Sequence, residues 1–395
     1  MDLKNIDKAL KPYEKKLRAQ EKFRRTLGVK EVARPTYEKY IIGDIERFDR
    51  RRTAFVCLAP NNPLGKEFRE AFKRRTGHDT FATALPQSKL EIEDRVGASL
   101  NAGAGRLCTD YHPETFPVTP QEGRVDVDDT SQMSRLVKKA ALLYGAEMVR
   151  ITKVDQRWVY KDVEIPHKYA IIVAVSHKRH LNDTAPSFLS GLGVSDTYSR
   201  LKYITTQLAD FICSLGYGAQ YRETRGPQME MNLVPMALDA GIGEFARNGR
   251  VLSPEFGINM RLKAVTTDLP LVVDKPISFG VHEFCMACES CATFCPADAI
   301  PTGPPTDTPP TMHSNPGFRK WYIYADRCLM FWAAKKEKWL TCGGRCIAVC
   351  PWNKPMVFQH NLVRWIAIHS PHAVKKMLAW ADVVFYRRKK SISSP

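Results

Sequence analysis

Two short cysteine runs constrain this chain more than any other feature. Residues 285–296 read CMACESCATFCP, and residues 341–351 read TCGGRCIAVCP. Seven of the eleven cysteines lie in these runs, and each run closes on Cys-Pro. Cys285, Cys288, Cys291 and Cys295 follow C-x2-C-x2-C-x3-C-P, the bacterial ferredoxin spacing for a 4Fe–4S cluster. Two-residue gaps let three thiolates wrap corners of one cubane, while the fourth cysteine ligates the other cluster of a pair. The second run is less regular. Cys328 comes first, a gap of 13 residues follows, and then come Cys342, Cys346, Cys350 and Pro351. By pseudo-symmetry, one cluster takes Cys285, Cys288, Cys291 and Cys350, and the other takes Cys295, Cys328, Cys342 and Cys346. Zinc is the competing reading, but it favours four ligands in paired C-x2-C units, and eight cysteines in this order fit two cubanes better. The Cys342-Gly-Gly-Arg-Cys346 step carries one residue more than the usual two, and its paired glycines can absorb the excess at positive φ. Pro296 predicts a helix beginning just after Cys295, where its missing N–H costs little.

Composition sets the frame around this module. A length of 395 residues suggests two or three domains, and 44% hydrophobic content is ordinary for a globular chain. The longest strongly apolar run, YAIIVAVS at 169–176, is far short of the roughly 20 residues of a membrane-spanning helix. The N-terminal stretch is charged throughout and holds Arg24-Arg25, but no apolar segment follows, so an export signal is not expected. A cytoplasmic location is expected, where cysteines indicate metal or redox chemistry rather than disulfides. Cys57, Cys108 and Cys213 are isolated and are expected to be buried small side chains. The formal net charge is +17, with twelve Lys/Arg against six Asp/Glu in residues 1–40 and seven against one in 361–395. Such an excess attracts nucleic acid, an acidic membrane or an acidic redox partner, or simply solvates the surface, and charge does not choose among these.

Periodicity places the remaining elements. Residues 1–60 read as helical, then irregular and basic, and the Pro/Gly-punctuated stretch 60–130 reads as loops. SQMSRLVKKAALLYG has helical apolar spacing ending near Gly145, and KYAIIVAVS reads as a buried strand. Tyr198, Leu201, Leu208, Ile212 and Leu215 share a helical face that stops at Gly216, preceded by a loop over 176–197. The proline-rich loop 302–316 separates the cysteine runs, and a helical tail follows Pro355. The expected class is α+β, in four parts: a basic, irregular region at 1–125 packing on the core, a core at 126–275, the cluster domain at 276–360, and a basic helical tail at 361–395.

Several phrases, taken in order, resemble the corrinoid-dependent reductive dehalogenases. They are YSRLKYITTQLADFICSLGYGA, PMALDAGIGEFARNGRVLSPEFGINMRL, VTTDLPL, CMACESCATFCPADAI, HSNPGFRKWYIYADRCLMFWA and CIAVCPWNKP, with weaker likeness upstream, over roughly residues 42–360 in all. The resemblance implies a nitroreductase-like corrinoid-binding core fused to a ferredoxin-like domain with two 4Fe–4S clusters. It implies a buried, base-off corrinoid of the cobalamin type, reduced by the clusters, at which cobalt(I) removes halide from an organohalide and a proton replaces it. The chain contains no Asp-x-His-x-x-Gly motif, so ligation of cobalt by that histidine is not expected.

The resemblance also assigns residues. Tyr198 matches the family's tyrosine and would donate the proton, since a phenol of ordinary pKa near 10 stays protonated at neutral pH. Arg261 matches the family's basic residue and would support the phenolate. Tyr203, on the same helix, is the rival donor. Trp332 matches a tryptophan of the substrate pocket, with core packing as the equal alternative. Gln228 falls where some members carry a polar pocket residue. Gly241 and Gly243 are candidates for close approach to the corrinoid, with a plain turn as the other reading.

The expected partners are an organohalide and a soluble electron donor such as ferredoxin or flavodoxin, with no nucleic acid and a monomeric or homodimeric state. Two other functions compete. One is an epoxyqueuosine reductase-like enzyme acting on transfer RNA, which would show salt-sensitive transfer-RNA binding. The other is an electron-transfer protein using the clusters alone, which would hold iron without a corrinoid.

Overall fold

Four strands from separate stretches of the chain pair into one antiparallel sheet, and helices cover its two faces. The structure is a computed structural model that describes residues 4–79, 95–96, 98–104, 120–224, 228–334 and 344–386. Its main elements are α1 (Lys11–Leu27), α2 (Lys66–Thr76), α3 (Thr130–Leu143), β1 (Met148–Lys153), β2 (Tyr169–Ser176), α4 (Phe188–Ser214), β3 (Ala219–Arg222), α5 (Leu233–Asp239), β4 (Met260–Thr267), α6 (Val281–Cys288), α7 (Ala325–Ala334), α8 (Phe358–His369) and α9 (His372–Phe385). The sheet order is β1-β2-β4-β3, with Ile151 opposite Ile171 and Val175 opposite Arg261.

The period of two along a strand, with both faces covered, explains why β2 is apolar throughout. Ile171, Val173 and Val175 meet Leu136 and Val137 of α3 and Leu201, Ile204 and Leu208 of α4. Ala170, Ile172 and Ala174 face the opposite layer, where Met236, Ala237 and Leu238 of α5 pack with Trp158 and Phe318. Arg24 of α1, first of the twin arginines, is buried. It pairs with Glu255 at 2.6 Å and donates to the Gly241 carbonyl at 2.7 Å. Cys57 and Cys213 are buried, while Cys108 lies outside the described residues.

Three local expectations change. First, α4 begins at Phe188 rather than near Thr197. Ser187 caps it, accepting from the Ser190 N–H while the Ser190 hydroxyl accepts from the Ser187 N–H. Gly193 lies inside this helix, where a Cβ would stand 3.3 Å from Leu181 Cβ. Second, the stretch read as loops contains α2, whose Phe72 is fully buried while its other apolar positions are not. A stripe that thin is hard to see in so charged a segment. Third, the segment after Pro296 is a turn rather than a helix. The chain passes through Asp298 at φ 45°, and the Ala299 N–H donates to Cys295 Sγ at 3.4 Å. Among the described residues, no helix is long and apolar enough to cross a membrane.

Candidate active site

Strand alternation brings Arg261, Lys263 and Val265 of β4 onto the side covered by α4. There Arg261 meets Tyr198, with its guanidinium 5.5 Å from the tyrosine ring centroid. Both line one cleft with Tyr160, Thr224, Met231 and Asn232. Arg261 is 9% exposed, so its charge acts in a medium that screens poorly. A phenol beside a buried guanidinium can give up a proton while the cation stabilises the phenolate. Tyr203 is 53% exposed and is absent from the described lining of this cleft.

His177, just after β2, is a neighbour that no motif announces. Burial, and then Arg261, push its pKa well below the ordinary histidine value, so it is neutral at physiological pH. The Asn259 side-chain amide donates to its carbonyl at 3.0 Å, and its Nδ1 lies 3.2 Å from Asn182 Oδ1. A neutral ring there adds no second charge beside Arg261.

A second cleft adjoins the first, sharing Asn232 and Val234. Aromatic rings form its wall. Tyr40 stacks on His282 at 4.6 Å between centroids, His282 on Trp321 at 4.8 Å, and Trp158 on Phe318 at 5.7 Å. Tyr37, also in this wall, donates its hydroxyl to Asp239 Oδ1 at 2.8 Å. Burial is the main cause that pushes Asp239 up to about 7. A raised carboxyl pKa means the native state favours the protonated form. That stability is complete below the unfolded pKa of 3.8 and is lost as pH rises through about 7. Asp239→Asn keeps an acceptor for Tyr37 and removes the charge. Its stability is expected to exceed the wild type's at about pH 8 by up to about 4 kcal/mol, with the gap closing near about pH 4. Thermal unfolding across pH checks this, and parallel curves for the two proteins contradict it.

The described cysteines of the two runs lie close together in the fold. Cys285, Cys288, Cys291 and Cys350 line one small cavity with Arg247 and Asn248. Cys285 and Cys288 come from α6, Cys291 from the short helix Ser290–Thr293, and Cys350 from the residue before the turn at Pro351. Burial pushes the Cys285 thiol up to about 12 and raises Cys291 well above the ordinary value, the neighbouring cysteines adding to the latter. Buried thiols this close stay ionised only against strong positive charge, which coordinated iron supplies. Asn248 has both side-chain polar atoms buried without a partner among the described residues, and its amide is a donor of the kind that meets cluster sulfur. Cys295, Cys328 and Cys346 pack together around Ala299 and Ile300, and Cys342 lies outside the described residues. Gly344 adopts φ 91° just before the helix Arg345–Ala348, in line with glycine absorbing the extra residue. Among the described residues, no group of three or more His, Cys, Asp or Glu side chains is arranged to hold a single metal ion.

Ile258 connects the two regions, lining both the Tyr198 cleft and the cavity of Cys285, Cys288, Cys291 and Cys350. Its N–H donates to Asn353 Oδ1 at 2.9 Å, and Gly257 lies so close to Asn353 that a Cβ would stand 2.2 Å from the same oxygen. The wall between cleft and cysteine cavity is therefore thin and tightly packed.

The other sequence candidates sit elsewhere. Trp332, on α7, packs against Phe55 at 5.6 Å and joins a cluster with Phe72 and Leu329. Gln228 is exposed, next to Met229 of the Tyr198 cleft. A Cβ at Gly241 would stand 2.1 Å from the Lys275 carbonyl oxygen, and one at Gly243 would stand 2.0 Å from that of Leu252. Both glycines thus admit the chain's own backbone.

Residues 284–354 match the 4Fe–4S dicluster domain family. Over 419 aligned residues the chain is 31% identical to the tetrachloroethene reductive dehalogenase of Sulfurospirillum multivorans, covering 89% of this chain and 82% of that protein. The chain belongs to the reductive dehalogenase family. As a member it is an oxidoreductase of the class that uses iron–sulfur and corrinoid cofactors. Its mixed helix–sheet fold agrees with that of a solved reductive dehalogenase whose structure suggests a mechanism for B12-dependent dehalogenation. That match has a TM-score of 0.68 at 22% identity and covers 91% of this chain, and the chain spans about half, 49%, of the solved one. The epoxyqueuosine reductase of Salmonella typhimurium is more distant, at 25% identity over 203 residues, 48% of this chain and 46% of that protein.

Proposed function

We propose that this dehalogenase seats its corrinoid across the two clefts and removes halide from an organohalide beside Tyr198 and Arg261. The observation that carries the reading is Ile258, which lines both the Tyr198 cleft and the cavity of four cysteines. Residues 126–275 form the nitroreductase-like core that takes the corrinoid, 276–360 the ferredoxin-like domain, 1–125 a region packed on the core, and 361–395 the basic tail. Two adjoining clefts with an aromatic wall and the edge amide of Asn232 suit an apolar macrocycle rimmed by amides and carrying a tail.

When bound, the corrinoid supplies a strongly reducing cobalt centre. Each turnover exchanges a carbon–halogen bond for a carbon–hydrogen bond, uses two electrons and one proton, and releases halide. Tyr198 gives its phenolic proton to the carbon that loses the halogen. Arg261 stabilises the phenolate until solvent restores the proton. Buried Met231, Met260 and Ile258 limit water in the cleft. Cys285, Cys288, Cys291 and Cys350 would hold the cluster nearer the cleft, with Ile258 between them and it, and Cys295, Cys328, Cys342 and Cys346 the other cluster. A soluble ferredoxin or flavodoxin is the donor class, and acidic members suit the +17 chain.

The test is anaerobic reconstitution with iron, sulfide and cobalamin, followed by a screen of aryl, alkenyl and alkyl halides with a strong reductant. Halide release from at least one class is expected, with the dehalogenated product in equal amount. Fully loaded protein that releases no halide from any class contradicts the reading.

A further inference from the structure

We infer that Lys320 is the cationic anchor for the phosphodiester in the nucleotide tail of the bound corrinoid, an inference that rests on the corrinoid placement above. Lys320 lies in the segment between the cysteine runs. Its backbone is held by two hydrogen bonds with Thr306, each 3.0 Å. Its side chain lines the aromatic cleft, with Nζ 4.8 Å from the Tyr322 ring centroid and 5.4 Å from that of Phe318.

The charge is not balanced from within the described chain. Among the described residues Lys320 makes no ion pair, and burial alone lowers its pKa to about 8, with no carboxylate to offset it. The residue is enclosed by protein yet keeps accessible surface, as a group facing an internal cleft does. Glu244, the carboxylate in the described lining of this cleft, is already engaged. It accepts from the Phe279 N–H at 2.6 Å, the Val281 N–H at 3.3 Å and the Ser278 hydroxyl at 3.4 Å. Arg319, the adjacent cation, is exposed and paired with Asp307 at 2.6 Å.

A desolvated ammonium flanked by two rings recovers only part of its lost hydration. An anion entering the cleft would supply the rest. Ser314 and Asn315 line the same cleft and can bond to such an anion's oxygens. The cleft joins the Tyr198 cleft through Asn232 and Val234, so one ligand can reach both. A cobalamin-type corrinoid carries one fixed anionic group in its tail, the phosphodiester, and this matches one buried cation.

The experiment uses the full chain loaded with iron–sulfur clusters but free of corrinoid. Wild type, Lys320→Gln and Lys320→Arg are each titrated with cobalamin and with cobinamide, which lacks the phosphodiester and nucleotide. Binding is read from the corrinoid absorbance. Lys320→Gln is expected to weaken cobalamin binding at least about tenfold and leave cobinamide binding unchanged, while Lys320→Arg keeps most of the affinity. Unchanged cobalamin affinity in Lys320→Gln, or equal loss for both ligands, overturns the assignment while leaving the corrinoid placement intact. Failure of the wild type to take up either corrinoid overturns both.

Discussion

Tyr198→Phe is expected to keep the iron and cobalt content of the wild type and to lose turnover by about 10²–10⁴-fold, the range for removing a positioned general acid. The substitution deletes one oxygen from a partly buried ring on α4 and leaves the ring itself beside the Arg261 guanidinium. Packing and cofactor uptake therefore survive, and the loss falls on proton delivery. A split readout strengthens the test. Reduction of the clusters and of cobalt should proceed at the wild-type rate, with only product formation slowed. Full turnover in the phenylalanine variant rejects the donor role. Tyr203, half exposed and outside the described lining of the cleft, is a poor substitute.

Cys350→Ala is expected to abolish turnover by a different route. Cys350 comes from the second cysteine run, yet it shares a cavity with Cys285, Cys288 and Cys291 of the first. Its loss should remove or degrade the cluster next to Ile258 while leaving the cluster of Cys295 and Cys346. Iron should fall towards the content of one cluster. Chemical reductant should still reduce the remaining cluster, but electrons should no longer reach cobalt. Cys213→Ala is the control, because Cys213 is buried in the apolar layer between α4 and the sheet. A Cys350→Ala protein with normal iron and normal activity would overturn the ligand grouping.

The cluster chemistry is legible in the sequence because ligation ties residue type to spacing. The grouping of Cys350 with the first run follows from pseudo-symmetry alone, and in the fold Cys350 lines one cavity with Cys285, Cys288 and Cys291. Strand β2 is equally legible, since burial on both faces leaves an uninterrupted apolar run. The start of α4 is not, because its first turns carry Gly191 and Gly193, and Gly193 reads as loop until Leu181 is known to press against it. Long-range contacts hide the rest. His177 sits in no motif, and Lys320 lies within HSNPGFRKWYIYADRCLMFWA with nothing in the phrase to single it out. Only the fold brings one near Arg261 and the other into the aromatic cleft. Trp332 shows the converse, for its match to a pocket residue says nothing of the packing it makes with Phe55.

The most direct measurement is a stepwise reductive titration of the cobalamin-loaded protein, followed by electron paramagnetic resonance with metal analysis. Iron for two 4Fe–4S clusters and one cobalt per chain are expected, with a base-off cobalt(II) signal that changes shape when the neighbouring cluster is reduced. Protein that fills with iron yet retains no cobalt, or a cobalt signal indifferent to the state of the clusters, would contradict it.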